Sequence, residues 1–224
     1  MQLELDIQKT LRSGRREFTL QVALRSESQR LVILGPSGSG KSLLLKTIAG
    51  LATPEQGHVR LGGVTLFDRV ARINLPPQQR QMAYVFQDYA LFPHLNVRQN
   101  IAFGLRRGWL NPQPRIAHEA VEHWLDAFQL AAVAEQYPAE LSGGQRQRTA
   151  LARALIAEPR ALLLDEPFAA LDPPLRRHMR AELEDLQRRL HVPMLLITHD
   201  PDDADFFGDQ VVCLDSGRLG EGFA

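Results

Sequence analysis

The stretch Leu31-Val32-Ile33-Leu34-Gly35-Pro36-Ser37-Gly38-Ser39-Gly40-Lys41-Ser42-Leu43-Leu44-Leu45 constrains the fold more than any other part of the chain. Four apolar residues predict a short buried strand, a glycine-rich turn follows, and the apolar run after it predicts a helix. Glycines in the turn permit left-handed backbone and let main-chain N–H groups approach phosphate oxygens, while the helix start adds a partial positive charge. Strand, turn and helix with Gly40-Lys41-Ser42 at the junction form a phosphate-binding P-loop, a context that a Gly/Ser-rich surface turn does not need. Gly35, Pro36, Ser37, Gly38, Ser39, Gly40, Lys41 and Ser42 are therefore the first candidate site. Lys41 would reach the β- and γ-phosphates, and Ser42 would offer its hydroxyl to Mg²⁺.

A second motif, Ala161-Leu162-Leu163-Leu164-Asp165-Glu166-Pro167, runs four apolar residues into paired carboxylates. This is the pattern of a buried strand ending at the carboxyl edge of a parallel sheet, where ligands of doubly wound folds sit. Asp165 would hold Mg²⁺, directly or through water, and Glu166, one step further, could polarise an attacking water as a general base.

Bulk properties agree with a nucleotide enzyme. The 224 residues carry 26 Lys+Arg against 26 Asp+Glu, so no basic footprint asks for nucleic acid or an anionic membrane surface. One cysteine, Cys213, excludes an intrachain disulfide or a cysteine-based zinc site and fits a reducing compartment. The start, Met1-Gln2-Leu3-Glu4-Leu5-Asp6-Ile7, alternates like an edge strand rather than a signal peptide. The longest apolar runs fall far short of the ~20 residues that cross a bilayer.

Strands are expected at Leu3–Ile7, Glu17–Leu24, Arg30–Leu34, Val59–Leu61, Met82–Phe86, Ala161–Asp165 and Met194–Thr198, with Val211–Leu214 closing the sheet. Helices are expected at Leu43–Leu51, Pro114–Leu130 and Pro173–Leu190. The expected fold is α/β: a P-loop NTPase core with a mixed, mainly parallel sheet flanked by helices, N-terminal antiparallel strands and an inserted helical subdomain. One domain, 1–224, would divide into a core of 1–87 and 158–224 and an insert of 88–157.

A third motif places Leu141-Ser142-Gly143-Gly144-Gln145 at the opening of a helical run, a second anion-binding terminus for which the chain's own nucleotide has no obvious use. With this motif, the P-loop, Asp165-Glu166 and the His199 that follows Met194–Thr198, the chain resembles an ABC transporter ATPase subunit along essentially its whole length. The resemblance implies ATP and Mg²⁺ as cofactors and a second copy as partner. Two subunits would pack head to tail, with Ser142, Gly143, Gly144 and Gln145 of one closing over the nucleotide on the P-loop of the other. It further implies that Gln87 contacts Mg²⁺ and the attacking water, that His199 bonds the γ-phosphate and holds Glu166, and that Leu171-Asp172 runs along the dimer interface. Asp172 before Pro173-Pro174 also reads as a helix cap.

Transmembrane permease subunits and a periplasmic or extracellular binding protein are the remaining implied partners, with the chain peripheral at the cytoplasmic face of the cell membrane. The segment Asp88–Gln99, with Tyr89 and Phe92, is where a coupling helix of the permease would dock; these side chains read equally as the lobe's small core. Leu66-Phe67-Asp68, Ile73–Arg80 and Tyr84–His94 resemble the ATPase of molybdate importers, as does the lack of an adenine-stacking aromatic in the loop Gln8–Arg16. Importers of sulfate, iron, polyamine or sugar share much of this pattern, an exporter ATPase is a nearer rival, and a soluble ABC switch protein is the alternative from another class. The chain stops at Ala224, so no C-terminal regulatory domain is expected.

Overall fold

The computed structural model describes residues 2–14, 16–105, 111–169 and 171–220. Part of the expected insert, 106–110, and the chain's last four residues lie outside them. In chain order the elements are β1 (Leu3–Ser13), β2 (Arg16–Ser26), β3 (Arg30–Leu34), α1 (Lys41–Ala49), β4 (Gln56–Leu61), β5 (Val64–Asp68), β6 (Ile73–Asn74) and α2 (Pro77–Arg80). They continue with β7 (Met82–Val85), α3 (Val97–Phe103), α4 (Glu119–Ala127), α5 (Gly143–Leu155), β8 (Ala161–Asp165), α6 (Pro173–Leu190), β9 (Met194–Thr198), α7 (Pro201–Phe207), β10 (Gln210–Asp215) and β11 (Arg218–Leu219).

The strands form one sheet in the order β6-β5-β4-β1-β2-β11-β10-β3-β9-β8-β7. From β10 to β7 every pairing is parallel, while β2, β1, β4, β5 and β6 pair antiparallel. Sequence explains the division. In β1, buried Leu3, Leu5 and Ile7 alternate with more exposed Glu4 and Asp6, as a strand with one wet face requires. All five residues of β8 and of β9 are buried, because helices cover both faces there. Each fully buried Leu, Ile or Met of these strands stabilises the fold by about 1.5–3 kcal/mol.

Two apolar layers clasp the sheet. On one face, Leu44, Leu45 and Ile48 of α1 pack with Ile33, Leu163, Ile197 and the antiparallel strands. On the other, residues of α3, α4 and α5 share a continuous core with Val85, Leu164, Leu196, Met179 and Phe207. The helical segment between β7 and β8 is therefore packed on the sheet and on α6 and α7.

Several expectations change. The expected helix Pro114–Leu130 is regular only over Glu119–Ala127, because the His118 side chain caps its start and Gln129, with φ of 53°, lies just past its end. Val211–Leu214 does not close the sheet: β10 lies inside it between β3 and β11, and the edges are β6 and β7. The presumed loop Gln8–Arg16 is mostly strand, a long hairpin whose partners run from Leu3↔Ser26 to Ser13↔Arg16. Its residues alternate too weakly in polarity to read as strand, and the cross-strand ladder supplies what the pattern lacks.

One unforeseen anchor joins these parts. The Arg80 side chain is 1% exposed and donates to the carbonyls of Thr47 (2.9 Å), Ile48 (2.8 Å) and Leu75 (2.8 Å) and to Asn74 Oδ1 (3.1 Å). It gives the Ile48 carbonyl a donor and the Thr47 carbonyl a second one beside the Gly50 N–H (3.2 Å), at the negative end of α1, where a cation is favoured. Burial lowers the pKa of this guanidinium. The adjoining Gly50, at φ 83°, has no room for a side chain, since a Cβ there would lie 2.5 Å from Arg80 Nε.

Candidate functional site

Register brings the motifs together. Leu34 at the end of β3 pairs with Thr198 at the end of β9, and Ile197 pairs with Asp165 at the end of β8. Gly35 N–H donates to the Thr198 carbonyl (3.2 Å) and Glu166 N–H to the Ile197 carbonyl (3.0 Å), so the P-loop, the carboxylates and His199 issue from one carboxyl edge.

In the P-loop, Gly38 (φ 82°) and Gly40 (φ 102°) adopt left-handed backbone, and a Cβ on Gly35 would collide with the Leu214 carbonyl. Gly40 caps α1, which opens at Lys41. The Lys41 ammonium is buried, donates to the carbonyls of Gly35 (2.7 Å) and Pro36 (2.9 Å), and lies 3.4 Å from Glu166 Oε1. Gln8–Arg16 supplies no aromatic here, yet the Phe18 ring lies against the loop, 2.8 Å from where a Cβ on Gly40 would stand.

Ser42 Oγ donates to Asp165 Oδ1 (2.8 Å), and Tyr84 Oη donates to Asp165 Oδ2 (2.6 Å). Burial, then the hydrogen bond donated to Asp165 and the charge of that carboxylate, raise the Tyr84 phenol well above its ordinary pKa, so it stays a neutral donor. Glu166 takes a left-handed conformation (φ 47°), an uncommon state for a residue with a side chain, and its Oε2 lies 3.0 Å from His199 Nδ1. Gln87 stands exposed just past β7. Lys41, Glu166 and His199 thus form one set of contacts and Ser42, Asp165 and Tyr84 a second, side by side because Lys41 precedes Ser42 and Asp165 precedes Glu166; Tyr84 belongs here although no phosphate or metal motif marked it.

Ser142 and Gln145 form a separate feature. Ser142 N–H donates to Gln145 Oε1 (2.8 Å) and Gln145 N–H to Ser142 Oγ (3.3 Å), a reciprocal cap on α5. These bonds close on the helix itself rather than reaching Gly35–Ser42. Leu171 lies 3.4 Å from a Cβ built on Gly143, so bare glycine lets the Leu171-Asp172 turn lie close to the Ser-Gly-Gly turn. Asp172 Oδ1 accepts from Leu175 N–H (3.0 Å), as its predicted capping role requires.

Helix α6 links that turn to His199. Arg176 donates to Asp200 Oδ2 (2.8 Å) and the Leu171 carbonyl (3.3 Å), while Arg180 bonds Asp203 Oδ1 (2.6 Å) and Asp200 Oδ2 (2.8 Å). Thr198 Oγ1 donates to Asp203 Oδ2 (2.6 Å), so both neighbours of His199 are held.

The expected docking segment is only partly on the surface. Tyr89 is 5% exposed, its hydroxyl 3.5 Å from the Pro167 carbonyl, and so belongs to the core. Tyr89 (φ 65°) and Ala90 (φ 43°) are both left-handed, and Arg153 of α5 pins their carbonyls at 2.8 Å each. Burial pushes the Arg153 guanidinium down to about 10. Phe92, its ring tilted 46° to that of Phe103 with centroids 4.3 Å apart, lines a groove of about 1520 Å³ with Gln78, Met82, His94 and Arg160. Among the described residues, no helix is long and apolar enough to cross a membrane.

Residues 20–169 match the ABC transporter family, and the chain belongs to it. It is 49% identical over 190 residues to a sulfate/thiosulfate import ATP-binding protein of Gloeobacter violaceus, covering 84% of this chain and 53% of that protein. A spermidine/putrescine import ATP-binding protein of Lawsonia intracellularis is 43% identical over 202 residues, covering 90% and 52%. The chain spans about half the length of the curated relatives it matches. Neither of these is named for molybdate, the cargo suggested by the sequence pattern. The fold is that of an ATP-binding cassette: a dimeric structure of the cassette MJ0796 in a post-hydrolysis state with ADP and Pi superposes with a TM-score of 0.78 at 28% identity, over 99% of this chain and 100% of that one.

Proposed function

We propose that this chain is the ATP-hydrolysing subunit of an ABC importer whose cargo is a tetrahedral oxyanion, sulfate or thiosulfate ahead of molybdate. The observation that carries the reading is the pair of contact sets at the mouth of a P-loop, Ser42–Asp165 at 2.8 Å and Lys41–Glu166–His199 at 3.4 and 3.0 Å, held side by side because Lys41 precedes Ser42 and Asp165 precedes Glu166. Main-chain N–H groups of Gly38–Ser42 bind the phosphates, and Lys41 adds a buried charge to them. Glu166 takes a proton from the attacking water, and His199 Nδ1 fixes the carboxylate in place for it. The Ser42 hydroxyl and the Asp165 carboxylate are hard oxygen donors 2.8 Å apart beside the phosphate cradle, a set that fits Mg²⁺. When bound there, Mg²⁺ neutralises charge building on the β- and γ-phosphate oxygens. Gln87, exposed at the end of β7, faces the same edge of the sheet and is assigned to the metal and the water.

Ser142, Gly143, Gly144, Gln145 and Asp172 act on the nucleotide of a second copy, because their place in the fold leaves the chain's own P-loop to other residues. The dimeric cassette of the same fold supports this assembly. The Phe92 groove receives a permease segment at the cytoplasmic face of the membrane, and residues 88–157 move as the lobe that carries it. The oxyanion class rests on the relatives named for sulfate and thiosulfate import.

Replacing Glu166 by Gln tests the chemistry. ATP binding is retained and turnover falls by roughly 10²–10⁴-fold, the usual contribution of a general base; a parent-like rate removes Glu166 from that role. Reconstituted with its permease and binding protein, the subunit hydrolyses ATP faster when sulfate or thiosulfate is supplied. Stimulation by molybdate alone reverses the order of the oxyanions, and stimulation by spermidine alone removes the oxyanion class.

A further inference from the structure

Beyond the residues that the phosphate and metal motifs mark, the structure assigns a positioning role to Tyr84, and this inference rests on the nucleotide-site reading above. Tyr84 is on β7, the edge strand, and pairs with Leu163 of β8. Strand side chains alternate with a period of two, so Asp165 is on the same face of β8 as Leu163, one step along from the residue opposite Tyr84. A tyrosine is long enough to span that diagonal, and its hydroxyl meets Asp165 Oδ2 at 2.6 Å. The ring is steadied by Phe86, two residues on, at 4.4 Å between centroids.

Asp165 is 5% exposed, so each of its oxygens needs a donor. Ser42 serves Oδ1 and Tyr84 serves Oδ2. A carboxylate torsion is otherwise broad, so one donor alone leaves the group free to swing. With Tyr84 holding Oδ2, Oδ1 stays turned toward Ser42 and the P-loop. We infer that Tyr84 fixes the metal-binding carboxylate in this orientation, as an outer hydrogen bond does for ligands in metal sites generally, where its loss costs roughly 10–100-fold in metal affinity or activity. The same strand leads directly into Gln87, so one short segment carries both the residue that orients Asp165 and the residue assigned to the metal and water.

Tyr84→Phe removes one oxygen and keeps the ring, which isolates the hydrogen bond. The direct experiment measures affinity of the full chain for a fluorescent ATP analogue, once with Mg²⁺ and once with EDTA, for wild type, Tyr84→Phe, Asp165→Asn and the double variant. The ratio of the two affinities reports the contribution of the metal without relying on turnover. Tyr84→Phe lowers that ratio by roughly tenfold or more and leaves the EDTA affinity unchanged, and the double variant loses no more than Asp165→Asn alone, as expected of two residues acting through one carboxylate. An unchanged ratio overturns the inference, and so does an equal loss with Mg²⁺ and with EDTA, which is the signature of a purely structural tyrosine. Failure of wild type to bind the analogue at all contradicts the nucleotide-site reading itself, and is thereby distinguished from failure of Tyr84 alone.

Discussion

Lys41 is a buried cation whose hydrogen bonds run to the P-loop's own carbonyls and whose ion pair runs to Glu166, so it connects the phosphate cradle to the proposed base. Lys41→Ala removes the only side-chain charge the loop offers to phosphate and weakens nucleotide affinity by tenfold or more; isothermal titration with ATP checks this, and parent-like affinity contradicts it. The residues legible in the sequence are those whose chemistry is local: Gly35–Ser42 by the strand–turn–helix spacing, Asp165-Glu166 by their place after four apolar residues. His199 and Gln87 carry functional meaning only through the resemblance, whereas Asp172 is legible locally as the cap of the proline-started helix. Tyr84 was illegible because its partner lies 81 positions away and only the β7–β8 register brings them together. For Tyr89 the sequence leaves surface and core equally open, because aromatic side chains in a polar stretch do not reveal which way they turn; two left-handed residues held by Arg153 turn this one inward.

At the scale of elements, pattern located strands better than helix ends. Arg30–Leu34, Ala161–Asp165, Met194–Thr198 and Pro173–Leu190 were read with their observed limits, since continuous burial and a proline start are strong local signals. The short β5 and β6 and the helix α7 were not, because their stability comes from neighbours. Arg80 is the clearest case, a charged residue in the short α2 that holds the end of α1. Arg80→Met keeps the stem and takes the guanidinium donor from the Thr47 and Ile48 carbonyls, of which only Thr47 keeps another partner, the Gly50 N–H; at about 1.5–3 kcal/mol for hydrogen bonds to a charged group, stability falls by that order in urea titration. Asp209 provides a pH test. Burial alone would raise its pKa, but the side-chain and backbone hydrogen bonds from Arg30, and its charge, hold it below 3.8. A depressed carboxylate contributes stability above its unfolded pKa and loses it as pH falls through the lower folded value. The melting-temperature difference between wild type and Asp209→Asn is therefore present at neutral pH and is lost as pH falls below the ordinary carboxylate range, and it is small because the pair is partly exposed.

At the scale of the whole molecule, one carboxyl edge gathers the P-loop, the oxygens proposed to bind the metal and the proposed base, while the Ser142-Gly143-Gly144-Gln145 turn is capped on itself and leans on Leu171. Helix α6 ties that turn's neighbour, Leu171, to Asp200 beside His199 through Arg176, a rigid path from the expected interface to the expected catalytic edge. In the proposed dimer each chain would hold half of two sites, and a second copy related by two-fold symmetry would complete both. The most direct measurement is the sedimentation of Glu166→Gln protein with and without MgATP. The account predicts a monomer without nucleotide, a dimer with MgATP, and no dimer when Ser142→Arg is added to the same protein. Glu166→Gln protein that remains monomeric at saturating MgATP, or that dimerises regardless of Ser142→Arg, would contradict it.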